Sequence, residues 1–111
     1  MEAARRRLLG ERVSADVPEG VVVRRGGLIP RVAGVLSGMG GAAHAVTLGD
    51  TIVVHPSAPL TPRLLRHELA HVRQWRAGGL LFPLRYTIGH LVHGYHRNPY
   101  EIEARAAERE V

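Results

Sequence analysis

The sequence has no cysteine and no lysine among its 111 residues. Without cysteine, the chain cannot form disulfides or a thiolate-bound metal site, so a metal in this protein must be held by histidine and carboxylate side chains. The seven histidines make such a site feasible. Without lysine, arginine supplies every permanently cationic side chain, and the formal net charge is +5 at pH 7.

Aromatic residues are also scarce, at 5% of the chain. The positive charge could attract nucleic acid or anionic lipid. However, the arginines are scattered, with Arg5, Arg6 and Arg7 as the longest run, and there are too few aromatic rings to form a surface on which bases stack. We therefore interpret the arginines as a solvated basic surface and do not expect nucleic-acid binding.

The chain also lacks a long hydrophobic run. Near the N-terminus, Gly10, Glu11 and Arg12 follow two leucines at once, so no apolar core of a secretory signal forms. The most apolar later segment, residues 79–95, is interrupted by a proline, an arginine and two histidines, which are too costly in a membrane-spanning helix. We expect a soluble protein without a membrane span, located by default in the cytoplasm.

The first half of the chain predicts strands and turns. Residues 21–23 are three valines bounded by glycines, and residues 44–48 and 51–55 flank Gly49 and Asp50, a pair that favours a two-residue type II′ hairpin. Residues 28–43 contain a proline and four glycines, so we predict a loop there with at most one short element.

The second half predicts three helices. Thr61 and a following proline form a capping start, and two consecutive glycines end this first helix after residue 77. Apolar residues at helical spacing indicate a second helix over residues 81–95, and Asn98 with its following proline begins a third that runs to residue 110. The predicted fold class is α+β, with a small N-terminal antiparallel β-sheet or hairpin followed by an active-site helix and two further helices. The length predicts a single domain over residues 1–111.

The first of these helices carries the pattern H-E-x-x-H at His67, Glu68 and His71. Residues four apart project from one face of a helix, so the two imidazoles can converge on one tetrahedral zinc ion. Glu68 lies beside that face, where a carboxylate can take a proton from water without coordinating the ion. Polar residues at the centre of a Leu- and Val-rich helix are costly unless a metal satisfies them. We therefore predict that His67 and His71 bind zinc and that Glu68 is the catalytic base.

A catalytic zinc site needs a third protein ligand. The three-histidine metzincin pattern is excluded, because Gln74 and Ala77 stand where it needs glycine and histidine. Glu101 and Glu103, which lie on one predicted helix, are about 200° apart around its axis, so only one of them can face the metal. Glu101 also has an alternative role that needs no metal. It stands three residues after Asn98, the spacing at which an N-cap residue and a glutamate satisfy each other's backbone amides. The candidates that remain are His90, His93, His96, Glu101 and Glu103.

Residues 67–74, followed by residues 98–104, resemble the small gluzincin-type zinc metallopeptidase domains of bacteria. Residues 46–54 are similar to the hairpin that precedes the metal helix in those domains. The resemblance implies a minimal zincin-like domain in which Glu101 is the third zinc ligand. The sequence departs from the family at Arg105, where gluzincins often have an aspartate that orients a ligand histidine.

The resemblance also implies a function. It implies a zinc-dependent peptidase that cleaves a peptide or protein substrate, with residues 51–55 as an edge strand that pairs with the extended chain. Tyr95, His96 and Arg97 are open alternatives for an oxyanion donor. At this size, a protein partner could complete the cleft. The alternative from another class is a metal-stabilised interaction or scaffold module with weak activity or none.

Overall fold

The computed structural model of the protein describes residues 1–37 and 41–110. These residues form five helices and four strands, which confirms the α+β class. They fall into two compact units, Met1–Leu60 and Thr61–Val111. The prediction of a single domain stays a prediction. In chain order the elements are α1 (Glu2–Leu9), β1 (Glu11–Val13), β2 (Val22–Arg25), α2 (Leu28–Leu36), β3 (Ala45–Leu48), β4 (Thr51–Val54), α3 (Pro62–Gly78), α4 (Leu81–His93) and α5 (Pro99–Ala107).

The first unit contains a four-stranded sheet in the order β1-β2-β4-β3. The predicted hairpin is present, since β3 and β4 pair antiparallel and Gly49 turns between them with a φ of 63°. The sheet as a whole is mixed rather than antiparallel, because α2 and β3 carry the chain back along the sheet before β4 pairs parallel with β2.

The central strand of this sheet is β4, which pairs with β2 on one side and β3 on the other. Its residues Ile52, Val53 and Val54 are fully buried. The prediction that residues 51–55 form an edge strand for a peptide is therefore wrong, because the backbone hydrogen-bonding groups of β4 are already used by its two neighbours. The edges of the sheet are β1 and β3.

The prediction missed α1, and it allowed only one short element where α2 lies. Helix α1 is tied to the sheet by Arg24, which is buried and donates to the Glu2 carboxylate and the Gly10 carbonyl. Helix α2 occupies most of the predicted loop, of which residues 38–40 lie outside the described residues. Gly34 is needed there because a Cβ atom would lie 1.8 Å from the Gly41 carbonyl oxygen. This glycine reflects close packing, which is why it misled the prediction.

The second unit contains the three predicted helices. The Thr61 hydroxyl accepts from the Leu64 amide at 3.1 Å and begins α3, and the Asn98 side chain accepts from the Tyr100 amide at 3.1 Å and begins α5. A small buried cluster of Ala70, Ala104 and Ala107 belongs to α3 and α5. Because alanine side chains are short, these two helices can approach closely, and polar residues on their facing sides come within hydrogen-bond distance.

Helix α4 packs by a different face from the one its apolar stripe suggests. An apolar stripe at helical spacing usually faces the core, yet Leu81, Leu84, Ile88 and Leu91 are all more than half exposed. Instead, the ring of Phe82 is buried against Trp75 and Tyr100, at centroid distances of 5.3 and 5.1 Å. Among the helices described, none is both long enough and apolar enough to cross a membrane.

Candidate metal centre

The two histidines of the H-E-x-x-H pattern lie side by side on α3. His67 and His71 are both buried, and their ring centroids are 5.1 Å apart. This is the arrangement expected for residues one helical turn apart. Both rings face α5.

The first turn of α5 places a carboxylate against both rings. Glu101 is buried, and its Oε1 atom lies 3.0 Å from His67 Nε2 and 3.3 Å from His71 Nε2. Atoms that bind zinc at about 2.0–2.1 Å in a tetrahedral arrangement lie roughly 3.3 Å from one another. His67, His71 and Glu101 each offer one ligand atom within 4.8 Å of the others, so this group could hold a metal ion. The ligand roles themselves stay predictions.

The other candidate ligands lie elsewhere. The Glu103 carboxylate is exposed and accepts from Gln74 Nε2 at 3.0 Å. The Asn98 side chain caps α5 by accepting from the Tyr100 amide. The Glu101 carboxylate bonds to the histidines instead, so Glu101 does not take the alternative capping role. Within the described residues, the histidines at 90, 93 and 96 are not part of the metal-binding group. The geometry therefore favours Glu101.

The far nitrogen of each ring is also engaged. His67 Nδ1 donates to Glu108 Oε2 at 2.7 Å, and His71 Nδ1 donates to Gln74 Oε1 at 2.8 Å, because carboxylate and amide oxygens can only accept. Histidines that bind metals usually donate the other ring nitrogen to an oxygen in this way, which orients the ring. Both Nε2 atoms are thereby directed at Glu101.

Glu108 supplies the contact for which the sequence lacks an aspartate. It stands three residues after Arg105, which instead donates to the His96 carbonyl. Arg63 Nε donates to Glu108 Oε1 at 2.6 Å and holds the carboxylate beside His67. Glu108 follows Glu101 by seven residues, a spacing that returns to the same helical face. That spacing was the available signal, and sequence reasoning missed it.

Gln74 was likewise missed as a site residue. The sequence analysis used it only to exclude the metzincin pattern. In the structure its amide is buried between His71 and α5, where Nε2 donates to the Tyr100 carbonyl and to Glu103 Oε1, both at 3.0 Å. Those two acceptors orient the amide so that its oxygen faces His71. The only sequence signal was its position, three residues after His71 on the same face.

Glu68 is buried on α3 between the two histidines in sequence. It does not belong to the group of ligand atoms, and its negative charge raises the pKa of both His67 and His71 against the lowering effect of their burial. This placement suits a base beside a metal ion. Its catalytic role stays a prediction.

Among the proposed oxyanion donors, Tyr95 is half-buried, while His96 and Arg97 are exposed. Burial raises the pKa of the Tyr95 phenol, and the negative charges of Glu101 and Glu68 raise it further. Tyr95 therefore keeps its proton and lies near the site. The choice of oxyanion donor stays open.

The charges of the site depend strongly on one another. Burial by itself would lower the pKa of the His67 imidazole, but its hydrogen bond with Glu101, the charge of Glu68 and the hydrogen bond with Glu108 raise that pKa to about 9. Burial would raise the pKa of the Glu101 carboxyl, but the bonds from His67 and His71 hold it well below its ordinary value. Without a metal, these interactions favour protonation of both histidines and ionisation of the carboxyl between them.

This charge pattern predicts opposite effects of pH on the metal-free and zinc-loaded proteins. Because the pKa of His67 is raised from 6.5 to about 9 on folding, its stabilisation is complete below 6.5 and is lost as the pH rises to 9. Zinc competes with protons for the same nitrogens, so zinc-loaded protein should gain stability over that range. The measurement is urea unfolding at about pH 6 and about pH 9, with chelator and with zinc.

The amino-acid composition limits the number of other groups that could change charge in that experiment. The chain has no cysteine and no lysine, so neither thiols nor lysine amines contribute to a change of charge between these pH values. Equal stability of the metal-free protein at both pH values would contradict the charge pattern.

Comparison with known proteins identifies the family to which this chain belongs. A family model described as the eCIS core domain matches residues 1–79, which includes His67, Glu68, His71 and Gln74. The match ends before Glu101 and its description names no peptidase, so the resemblance to gluzincins remains an interpretation of the residues themselves. No curated protein and no solved structure matches the chain significantly. Because the family model covers well over half of the sequence, the chain belongs to the eCIS core domain family.

Proposed function

We propose that this domain is a zinc-dependent peptidase that hydrolyses peptide bonds. The observation that carries the proposal is the buried group of His67, His71 and Glu101, with Glu68 close beside it. Two imidazoles and one carboxylate are the ligand set of catalytic zinc sites, which keep a fourth position open. The bonds from both Nδ1 atoms to Glu108 and Gln74 also support metal binding, since they leave each Nε2 directed inward.

Different residues of the chain bind the metal and transfer the proton in this proposal. His67 Nε2, His71 Nε2 and Glu101 Oε1 would hold the ion. When bound, zinc supplies a Lewis acid that polarises a carbonyl and lowers the pKa of water to about 7. Glu68 is the group that accepts the proton from the attacking water and returns it to the leaving amine. The buried surroundings of Glu68 strengthen its interactions with charge that develops during the reaction.

A peptide or protein is the proposed substrate. A cavity of about 450 Å³ adjoins the site through Gln74, and its lining includes Arg73, Arg85, Phe82 and Tyr100. It offers space beside the site for part of an extended chain. A protein partner that completes the cleft, and a location in the cytoplasm, stay predictions.

The family match favours a second candidate function. In this alternative the domain is a metal-stabilised interaction or scaffold module of an extracellular contractile injection system, with weak peptidase activity or none. The observation in its favour is the family itself, whose description names an assembly and no reaction. Here the same three ligands would hold zinc as a structural ion.

Replacing Glu68 with glutamine separates the two functions. The amide has the shape of the carboxylate but cannot act as a base, so zinc content should persist while peptide hydrolysis falls by about 10²–10⁴-fold. Metal analysis of the purified protein and cleavage of a casein or peptide mixture are the measurements. The matched control is Glu19→Gln, the same substitution at an exposed position in the first unit.

Three outcomes are informative. Retained zinc with lost cleavage in Glu68→Gln supports the peptidase. Stoichiometric zinc without cleavage in any variant, the wild type included, supports the scaffold module. Cleavage that survives in Glu68→Gln excludes Glu68 as the base.

A further inference from the structure

A tyrosine on α4 bonds to the carboxylate at the centre of the metal site. The Tyr86 hydroxyl donates to Glu101 Oε2, the oxygen other than the one close to His67. Burial raises the pKa of this phenol, and the charge of Glu101 raises it further, so the hydroxyl keeps its proton and is the donor. No motif in the sequence pointed to this residue as part of the site.

His71 by itself does not distinguish the two oxygens of Glu101. His67 Nε2 lies 3.0 Å from Oε1, but His71 Nε2 lies 3.3 Å from both Oε1 and Oε2. A carboxylate in that position could bind an ion through one oxygen or through both. The bond from Tyr86 engages Oε2, whereas His67 lies close to Oε1, so the two oxygens have different partners.

The Tyr86 ring is held in place by its neighbours. Its centroid is 5.8 Å from that of Phe82, 6.4 Å from that of Tyr100 and 6.1 Å from that of His71. The Tyr86 carbonyl also accepts from Nδ2 of Asn98, the fully buried residue that caps α5. The backbone that carries the tyrosine is therefore bonded to the start of the helix that carries Glu101.

We infer that Tyr86 is a positioning residue, which engages Glu101 Oε2 so that the carboxylate presents only Oε1 to the metal. This inference rests on the proposed zinc site. A carboxylate that bound through both oxygens would add a fifth ligand beside the position that a catalytic zinc must leave open for water. Tyr86 thereby keeps that position available.

Three tyrosine-to-phenylalanine variants test the inference, each of which keeps its ring. Tyr86→Phe removes the proposed contact. Tyr95→Phe removes the other phenol whose pKa responds to Glu101. Tyr100→Phe is the matched control, because its ring belongs to the same aromatic cluster. Zinc affinity is measured by competition with a chelator, and the visible spectrum of cobalt-loaded protein reports the coordination number, since four-coordinate cobalt(II) absorbs more strongly than five-coordinate cobalt(II).

The inference predicts that Tyr86→Phe lowers zinc affinity roughly 10- to 100-fold and weakens the cobalt absorption. Tyr100→Phe should match the wild type in both measurements. Wild-type affinity and spectrum in Tyr86→Phe would overturn the inference, as would the same changes in Tyr95→Phe in place of Tyr86→Phe. Circular dichroism checks that each variant is folded.

Two further results separate this inference from the proposal on which it depends. A crystal structure of the zinc-loaded wild type needs no variant, and it should show one oxygen of Glu101 within bonding distance of the ion; both oxygens of Glu101 within that distance would overturn the role of Tyr86 and leave the zinc site intact. A wild type that binds neither zinc nor cobalt would overturn the proposed function and this inference together.

Discussion

Replacing His71 with alanine should abolish stoichiometric zinc binding and remove the increase in melting temperature that zinc gives the wild type. His71 Nε2 is one of three ligand atoms in the group, and the remaining two cannot form a closed site. Binding of zinc to the folded state alone adds about 4 kcal/mol of stability when free zinc is 1,000 times Kd. The variant should lose all of that increment.

The comparison must be made between zinc-loaded and metal-free samples of each protein. Without metal, His71→Ala also loses bonds to Gln74 and Glu101, so its melting temperature falls for reasons unrelated to zinc. The zinc-dependent difference is free of that effect. His44→Ala is the matched control, because His44 is an exposed histidine of the first unit. Zinc content in His71→Ala equal to that of the wild type would remove the metal-site interpretation.

The parts of the fold that could be predicted are those decided by neighbouring residues. Helix α3 begins at a threonine cap with a proline and ends at glycines, and the structure has it over Pro62–Gly78. The hairpin around Gly49 is equally local. Both rest on backbone preferences that act within a few residues.

The order of strands depends on contacts between distant segments, which is why the prediction failed for β4. Its sequence suits an edge or a central strand equally well. Only the pairing of Val22 with Thr51, far apart in the chain, makes it central. The buried face of α4 also depends on distant contacts, since the partners of Phe82 decide which face of that helix is buried.

In the candidate site, too, local features could be predicted, whereas contacts between distant segments could not. The spacing of His67 and His71 could be interpreted directly, because it is a property of one helix. Glu108 and Tyr86 could not be identified so easily, since their roles arise only where α3, α4 and α5 pack together. The residues that orient a site lie on other elements than its ligands, and a single sequence carries little sign of them.

Replacing the two glutamates of α5, Glu101 and Glu103, should have very different effects on zinc binding. Glu101→Ala should weaken zinc binding by orders of magnitude, because it removes the only carboxylate of the metal-binding group. Glu103→Ala should leave zinc bound. Its carboxylate is exposed and bonds to Gln74 Nε2, which keeps a second acceptor in the Tyr100 carbonyl. Gln74 can therefore still accept from His71.

The pair is well matched, since both variants replace a glutamate of the same helix two residues apart. Loss of a helix cap would cost about 1 kcal/mol and leave the metal bound, and here Asn98 supplies the cap in either variant. Zinc affinity and melting temperature, measured together, thus separate a lost ligand from a weakened helix. Zinc loss in Glu103→Ala alone would mean that α5 is rotated relative to α3 and that the resemblance was aligned wrongly. Zinc retained in both variants would move the third ligand to His90, His93 or His96, and the gluzincin interpretation would fail, because it requires a carboxylate from the helix that follows.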